Sequence, residues 1–265
     1  MRVLFLCLLF ISLWNPYQAK AAKIDLNLMA NDFALTFLPL ENGEAAFLHL
    51  GDGRHYLINT GTRKEEKNIL KFMDHLQIDS LDGLILTEEQ YAREDFIDKL
   101  IHLYGLSTIY AGTLAYDKVK QLPQAEHLRK GMKVVLTPEL RMQVIYDGIH
   151  LDEGMDFTLT AKKKKFLWRS SSTVYSEQRL LHEKLKDVNI LKLPKYALKN
   201  SLSYSLLEHI DPQTAIIFKC KDKMPDADLM EVLHQMWIDV YYTEQHGLVI
   251  IKFSGGNYEV IPLPQ

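Results

Sequence analysis

The chain has 265 residues, is 47% hydrophobic and carries a formal net charge of −3 at pH 7. A chain of this length can bury the core of one domain without disulfide support. Its slightly acidic balance excludes a global electrostatic attraction to nucleic acid or anionic lipid. No internal repeat, low-complexity tract or Pro/Gly-rich linker divides the sequence. We therefore expect a single domain.

The N-terminal segment predicts export. Met1-Arg2 precedes an apolar run from Val3 to Trp14, and Ala19-Lys20-Ala21 has the A-x-A pattern of signal-peptide cleavage. The run is shorter than the ~20 residues that span a membrane. We expect residues 1–21 to be a Sec-type signal peptide and residues 22–265 to be a single mature domain without a membrane-spanning segment. Its destination would be the periplasm, cell wall or medium; a retained signal anchor is the alternative.

Short strands and helices alternate in the first half of the chain. Strands predicted at 45–50 and 56–59 flank the hairpin signal Asp52-Gly53. Thr62-Arg63-Lys64-Glu65 has the sequence of a capping box and predicts the start of a helix. Apolar spacing then predicts a strand at 84–86, a helix at about 91–104 and a strand at 108–111.

The second half predicts another sheet with its own helices. The expected strands are 133–136, 141–146, 157–161, 190–193, 214–218, 240–242, 248–253 and 258–261, and the expected helices are 176–185, 204–209 and 228–236. Two β-rich halves that each carry helices indicate two sheets packed face to face with helices outside. The predicted class is α/β (α+β), a four-layer αββα sandwich.

Three segments resemble the metallo-β-lactamase superfamily. Tyr56-Leu57-Ile58-Asn59-Thr60-Gly61 is similar to its strand and D-T-G turn. Lys192-Leu193-Pro194-Lys195-Tyr196-Ala197-Leu198 resembles the K-x-P-H-H-G-S of the extracytoplasmic hydrolase-like domain of ComEC, the DNA-uptake competence protein. Residues 239–247 resemble that domain's V-Y-x-T-x-x-H-G. The resemblance covers about residues 32–261 and implies the αββα fold.

The resemblance also implies where two metal ions would bind, and the ligands there are replaced. After Thr87, where the family has T-H-x-D/H-x-D-H, no histidine or aspartate stands at the ligand positions, which hold Glu88, Gln90, Ala92 and Arg93. Asn59 replaces the aspartate of D-T-G, and Lys195 replaces the first histidine of H-H-G-S. Zinc and manganese need imidazole or carboxylate donors. We therefore expect no metal, no cofactor and no two-metal hydrolysis.

Two groups of basic residues are candidate binding sites for anions. Arg93, Lys195 and Arg169, together with Asn59, would give the former metal cavity positive charge, since guanidinium and ammonium groups recognise phosphate. The alternative is that these residues pair with nearby carboxylates. Lys162, Lys163, Lys164 and Lys165 would form a basic patch that neutralises a nucleic-acid backbone, or a solvated turn between strands.

These features predict an exported, metal-free and non-catalytic protein with a binding or scaffolding role. By analogy with ComEC the role would lie in DNA uptake or envelope nucleic-acid handling, and the partner would be a phosphorylated or nucleic-acid ligand or an envelope protein. Fold alone does not fix function. The alternative is a divergent metal-dependent hydrolase, a phosphodiesterase or nuclease, whose site the motifs do not reveal.

Overall fold

The computed structural model describes residues 23–150 and 152–264, so the predicted signal peptide lies outside the described residues. Within these ranges the chain forms fifteen strands. They are β1 (Phe33–Phe37), β2 (Ala46–Leu50), β3 (His55–Ile58), β4 (Gly83–Leu86), β5 (Thr108–Ala111), β6 (Ala125–His127), β7 (Lys133–Val135), β8 (Leu140–Asp147), β9 (Met155–Ala161), β10 (Lys164–Trp168), β11 (Ile190–Lys192), β12 (Thr214–Ile217), β13 (Asp239–Tyr242), β14 (Leu248–Ser254) and β15 (Asn257–Leu263).

The strands form two sheets. The first has the order β15-β14-β1-β2-β3-β4-β5-β6, and the second has the order β13-β12-β11-β10-β9-β8-β7. The pairs from β3 to β6 are parallel, as are those from β10 to β13. Each sheet therefore has one edge at which several strands present their carboxyl ends together.

Helices connect the parallel strands. The α-helices in the described part of the chain are α1 (Glu66–His75), α2 (Glu94–Tyr104), α3 (Thr113–Val119), α4 (Val174–Leu180), α5 (Tyr204–Ile210), α6 (Ala227–Gln235) and α7 (Thr243–His246). Three short 3₁₀ turns, Arg63–Glu65, Glu89–Tyr91 and Pro194–Ala197, follow strand ends. Among the described residues, no helix is both long and apolar enough to cross a membrane.

The core has three parts, which define the layers. Because side chains alternate across a strand, one face of each sheet meets the other in an inter-sheet core. Phe37 of β1 lies against Trp168 of β10, with ring centroids 6.2 Å apart, and Trp168 lies 5.7 Å from Phe218. A second cluster packs α1, α2 and α3 on the outer face of the first sheet, and a third packs α4, α5 and α6 on the second. This arrangement confirms the predicted αββα sandwich.

The capping box predicted at Thr62 does not form. The segment begins as a 3₁₀ turn, and the Thr62 side chain accepts no hydrogen bond at the helix start. The Glu65 carboxylate instead accepts from the Asn42 backbone N–H at 3.2 Å and from Asn68 Nδ2 at 2.8 Å. The helix start is therefore where the sequence predicted it, but its acidic residue holds the loop before β2 rather than capping its own helix.

Candidate functional site

A cavity of about 670 Å³ opens where the carboxyl ends of parallel strands from both sheets meet. Its volume lies within the range of small-molecule sites, and this edge of a parallel sheet is a common place for them. Six loops and helix α3 line it. The loops contribute Asn42, Gly43 and Glu44 before β2; Thr62 after β3; Glu88, Glu89, Gln90 and Tyr91 after β4; Ile149, His150, Asp152 and Glu153 between β8 and β9; Lys195, Tyr196 and Leu198 after β11; and Cys220 and Lys223 after β12. The helix contributes Leu114.

Beneath the cavity, a hydrogen-bonded network joins the two sheets through Thr87. The Thr87 backbone N–H donates to Asn59 Oδ1 at 2.9 Å, and Asn59 Nδ2 donates to Thr87 Oγ1 at 2.9 Å. Ser170 Oγ, at the end of β10, donates to the same hydroxyl at 2.8 Å. All three residues are buried. The Asn59 amide is thereby occupied within the protein, because both its oxygen and its nitrogen have partners.

A second buried network surrounds Asp156 of β9. Its carboxylate accepts from the backbone N–H groups of Ser170 at 2.7 Å and Ser171 at 2.9 Å, and Arg169 Nε lies 3.5 Å away. Burial raises the pKa of Asp156, and the Arg169 guanidinium opposes this shift. The backbone N–H groups at the end of β10 are thus satisfied by a side chain of the neighbouring strand.

Lys192 and Glu44 form a buried ion pair in the wall between the sheets. Lys192 Nζ contacts the Glu44 carboxylate and also donates to the Arg169 carbonyl at 3.0 Å. The ammonium lies 4.9 Å from the Trp168 ring centroid, a cation–π geometry. Lys192 is 0% exposed and Glu44 is 2% exposed. Burial raises the pKa of Glu44, while the charge of Lys192 opposes the shift.

Glu88 is a carboxyl group on the cavity lining with an altered acidity. Burial and the neighbouring Glu44 raise the pKa of Glu88 to about 8, and Lys192 partly opposes them. Gln90 Nε2 donates to Glu88 at 2.8 Å. The hydroxyls of Tyr91 and Tyr196, also on the lining, lie 3.4 Å apart. A carboxyl with such a pKa in a cleft is a typical feature of a functional site.

The turn after β11 is strained. Lys195, Tyr196 and Ala197 have φ of +46°, +59° and +56°, the left-handed region that is rare for residues with a Cβ. Each such residue costs roughly 1–2 kcal/mol. The Asp226 backbone N–H donates to the Ala197 carbonyl at 2.8 Å and holds the turn in place. The turn puts Lys195 and Tyr196 on the cavity lining, which is where strain is most often connected with function.

The charged residues at the rim of the cavity are mostly paired. Lys195 Nζ lies 2.6 Å from Asp152, and Lys118 Nζ lies 2.9 Å from Glu89. Glu153 accepts from the Tyr146 hydroxyl at 2.8 Å, and the Thr173 hydroxyl donates to it at 2.7 Å. Five of the lining residues have carboxyl groups: Glu44, Glu88, Glu89, Asp152 and Glu153. Two of the lining residues are lysines, Lys195 and Lys223, so the cavity has an acidic balance.

The structure brings one of the four predicted anion-binding residues, Lys195, to the cavity lining. Arg93 lies outside the lining, where its guanidinium donates to the Thr62 carbonyl at 2.9 Å and pairs with Glu66 at 3.2 Å. Arg169 is fully buried against Asp156, and Asn59 belongs to the Thr87 network. For an anion, the lining therefore offers the ammonium groups of Lys195 and Lys223.

The predicted basic patch, Lys162, Lys163, Lys164 and Lys165, spans the turn between β9 and β10, at the opposite end of β10 from Trp168. Lys162 pairs with Glu139 at 3.1 Å and Lys165 with Asp187 at 2.6 Å. Lys164 lies over the Tyr258 ring, 5.4 Å from its centroid. These pairs reduce the positive charge that the patch presents to a nucleic acid.

The donor set beneath the cavity does not fit a dinuclear metal centre. Among the described residues, no group of three or more His, Cys, Asp or Glu side chains converges as a metal site would require. Asn59, an amide, stands at the aspartate position of the D-T-G motif. Lys195 stands at the first histidine position of H-H-G-S, and its ammonium has no lone pair for a cation. Glu44, a buried carboxyl on the cavity lining, is already paired with Lys192.

Comparison with solved structures identifies the fold. YhfI, a metallo-β-lactamase fold protein from Bacillus subtilis, is 11% identical, with a TM-score of 0.57 over 79% of this chain and 95% of that chain. A metallo hydrolase from the hyperthermophilic archaeon Ignicoccus hospitalis is 12% identical, with a TM-score of 0.54 over 87% of this chain and 100% of that chain. The chain therefore has the metallo-β-lactamase fold. No protein-family model and no curated protein matches the sequence.

The sequence analysis did not identify Glu44, Lys192 or the two tyrosines as site residues. One signal was available for Lys192, since it is a lysine within the apolar run Ile190–Leu193 and such a residue needs a buried partner. Nothing local marks Glu44 as that partner, because 148 residues separate the two in the sequence.

Proposed function

We propose that the chain is an exported, non-catalytic protein of the metallo-β-lactamase fold that binds a ligand in its cavity. One observation carries this proposal. The cavity remains open and lined by Glu88, Tyr196 and Lys195, while the polar groups beneath it are bonded to one another instead of being arranged as metal ligands. A binding role needs an open cavity. Metal-dependent hydrolysis needs converging metal ligands, and the polar groups beneath this cavity do not provide them.

We further propose that the ligand is phosphorylated or is a nucleic acid, and that the protein acts in DNA uptake or envelope nucleic-acid handling. The sequence resemblance of residues 192–198 and 239–247 to the ComEC-type domain supports it, as do Lys195 and Lys223 on the lining. Binding of that kind would weaken with salt, since backbone neutralisation by lysine releases counterions.

The binding role is tested by filling the cavity. Leu114 lines the cavity from α3, whereas Asp117 on the same helix is outside the lining. We expect L114W to abolish the rise in melting temperature that a ligand produces in the wild type, and D117W to retain it. The probes are two anions, inorganic phosphate and a single-stranded oligonucleotide, and one cation, the diamine putrescine. A wild-type protein that none of the three stabilises, or an L114W variant that responds as the wild type does, would refute the proposal.

The non-catalytic part needs a separate experiment. Elemental analysis of the purified protein, with a phosphodiesterase assay in the presence and absence of Mn²⁺, separates binding from the alternative of a divergent hydrolase. We expect no stoichiometric transition metal and no turnover above the buffer rate. Stoichiometric zinc or manganese together with turnover would establish the hydrolase instead.

A further inference from the structure

Two carboxyl groups on the cavity lining, those of Glu88 and Glu153, form no salt bridge with a described residue. Among the described residues, Glu44 pairs with Lys192, Asp152 with Lys195 and Glu89 with Lys118. The Glu153 carboxylate is held by hydroxyl and backbone donors. Glu88 accepts a single hydrogen bond, from the neutral amide of Gln90. Glu88 is therefore the lining carboxyl that has neither a salt bridge nor a full set of hydrogen-bond donors.

The surroundings of Glu88 match the needs of an ammonium group. Two phenol oxygens, those of Tyr91 and Tyr196, are on the same lining and can accept hydrogen bonds, and their rings have electron-rich faces. A primary ammonium has three N–H donors, which a carboxylate and two hydroxyl oxygens would satisfy. The strained turn at Lys195–Ala197 fixes one of these tyrosines in place.

The charged groups that face Glu88 make the site electronegative. Glu44 and Asp156 disfavour ionisation of Glu88, and Lys192 favours it. Because Lys192 is already paired with Glu44, its charge does not satisfy Glu88. An added cation would remove the penalty on the Glu88 carboxylate, whereas an added anion would increase it.

We propose that the cavity binds a primary alkylammonium group, with Glu88 as its counter-ion and Tyr91 and Tyr196 as further acceptors. This inference rests on the proposed ligand-binding function and gives the chemical class of the ligand. It is an alternative to the phosphorylated or nucleic-acid ligand named under the proposed function, because the buried part of the lining is acidic and the two lysines are at the rim.

The proposal predicts that binding is coupled to proton release. The pKa of Glu88 is raised to about 8 in the ligand-free protein, and an ammonium beside it would lower that pKa. Below pH 8 the carboxyl must therefore lose its proton for the amine to bind. The affinity should rise about tenfold per pH unit from pH 6 toward pH 8 and then level off, because a one-unit pKa difference corresponds to a factor of ten.

Isothermal titration calorimetry with putrescine, from pH 6 to pH 9 in two buffers of different ionisation enthalpy, tests this coupling. The wild type should release close to one proton per putrescine at pH 7. E88Q should bind at least tenfold more weakly at pH 8 and lose the pH dependence. E94Q is the matched control, because Glu94 is an exposed acid of α2 outside the lining, and it should behave as the wild type. If E88Q does not fold, the wild-type pH series decides alone.

The outcomes distinguish this inference from the proposed function. Binding of phosphate or the oligonucleotide without binding of putrescine would overturn the amine assignment and leave ligand binding intact. Binding of Mg²⁺ or Ca²⁺ alone, or putrescine binding that is independent of pH and unchanged in E88Q, would also overturn the amine assignment. Binding of none of these probes would overturn both proposals.

Discussion

Replacing Lys192 with methionine tests how the protein holds a charge beneath its cavity. The side chain is fully buried between the sheets, and its ammonium contacts Glu44, the Arg169 carbonyl and the faces of Trp168 and Phe218. Methionine retains most of the aliphatic volume but removes the charge. Glu44 is then a buried carboxylate without a cation, and the Arg169 carbonyl loses a donor.

The expected cost follows from that uncompensated charge. Breaking a buried ion pair by removing one partner costs about 3–5 kcal/mol, against about 5–15 kcal/mol for the unfolding of a typical domain. K192M should therefore lose a large part of the stability of the fold at pH 7. The double variant K192M/E44L should return to within about 1 kcal/mol of the wild type or exceed it, because replacing both partners with apolar residues is often neutral or stabilising.

Urea denaturation of the two variants and the wild type at pH 5, 7 and 8 measures these differences. Without Lys192, burial raises the pKa of Glu44 further above its ordinary value of 4.5. The folded state of K192M then retains a proton that the unfolded state has lost, so its stability decreases as the pH rises. The deficit of K192M should be smallest at pH 5.

A loss below about 1 kcal/mol in K192M, or a double variant as unstable as the single one, would refute the reasoning. The first result would mean that water or a rearranged side chain solvates Glu44. The second would mean that the cost lies in packing against Trp168 rather than in the charge, because the two substitutions would then act independently.

Three further predictions concern single residues. Because the pKa of Glu88 is raised to about 8, the free energy of unfolding of the wild type should fall as the pH rises from 5 to 8. Chemical denaturation of E88Q should show a fall that is smaller by about 3 kcal/mol over this range. Parallel profiles in the two proteins would contradict the assigned pKa. N59A should lose about 2–4 kcal/mol of unfolding free energy, since the buried Thr87 N–H loses its acceptor and residue 59 has φ +60°. N59G should lose less, because glycine accepts that φ. Equal losses in the two variants would show that backbone strain does not contribute. W237G should gain about 0.5–1 kcal/mol of unfolding free energy, measured by thermal unfolding, because Trp237 is 90% exposed and has φ +57°. Alanine would keep the strained φ, so an equal gain in W237A would show that strain is not the cause.

The sequence predicted the layers of the fold because they depend on local patterns. The hairpin at Asp52-Gly53, the apolar strand at 84–86 and the helix starting near Tyr204 are visible in short windows, and the structure has an element at each. Strand β6 has three residues, too few for a period to be recognisable, and the sequence analysis missed it.

The site was predicted less well because its contacts join distant parts of the chain. The direction of the Lys192 side chain follows from its register opposite Trp168 in a parallel pair, and no local pattern specifies that register. Of the segments that the motifs singled out, the one after Thr87 and the turn at Lys195 lie on the cavity lining. The motifs did not indicate that Arg93 would face Glu66 instead of the cavity, because the direction of a long side chain depends on the acids that folding brings close.

Several unfavourable features of this structure lie around one cavity, and that argues for binding over a purely structural role. Three consecutive left-handed residues, a buried ion pair and a carboxyl with a strongly raised pKa all oppose folding. A protein that served only as a packing partner would have no need for them, since apolar residues of similar volume would hold the sheets together at lower cost. The same features position a carboxyl and two phenol oxygens around an open volume. If the protein were only a structural partner, relieving the strain with K195G should leave every ligand response unchanged. K195G should become more stable in either case, by up to about 1 kcal/mol, because glycine accepts φ +46°. Only in a binding protein should the affinity for the ligand also fall, because the turn no longer holds Tyr196 against the cavity.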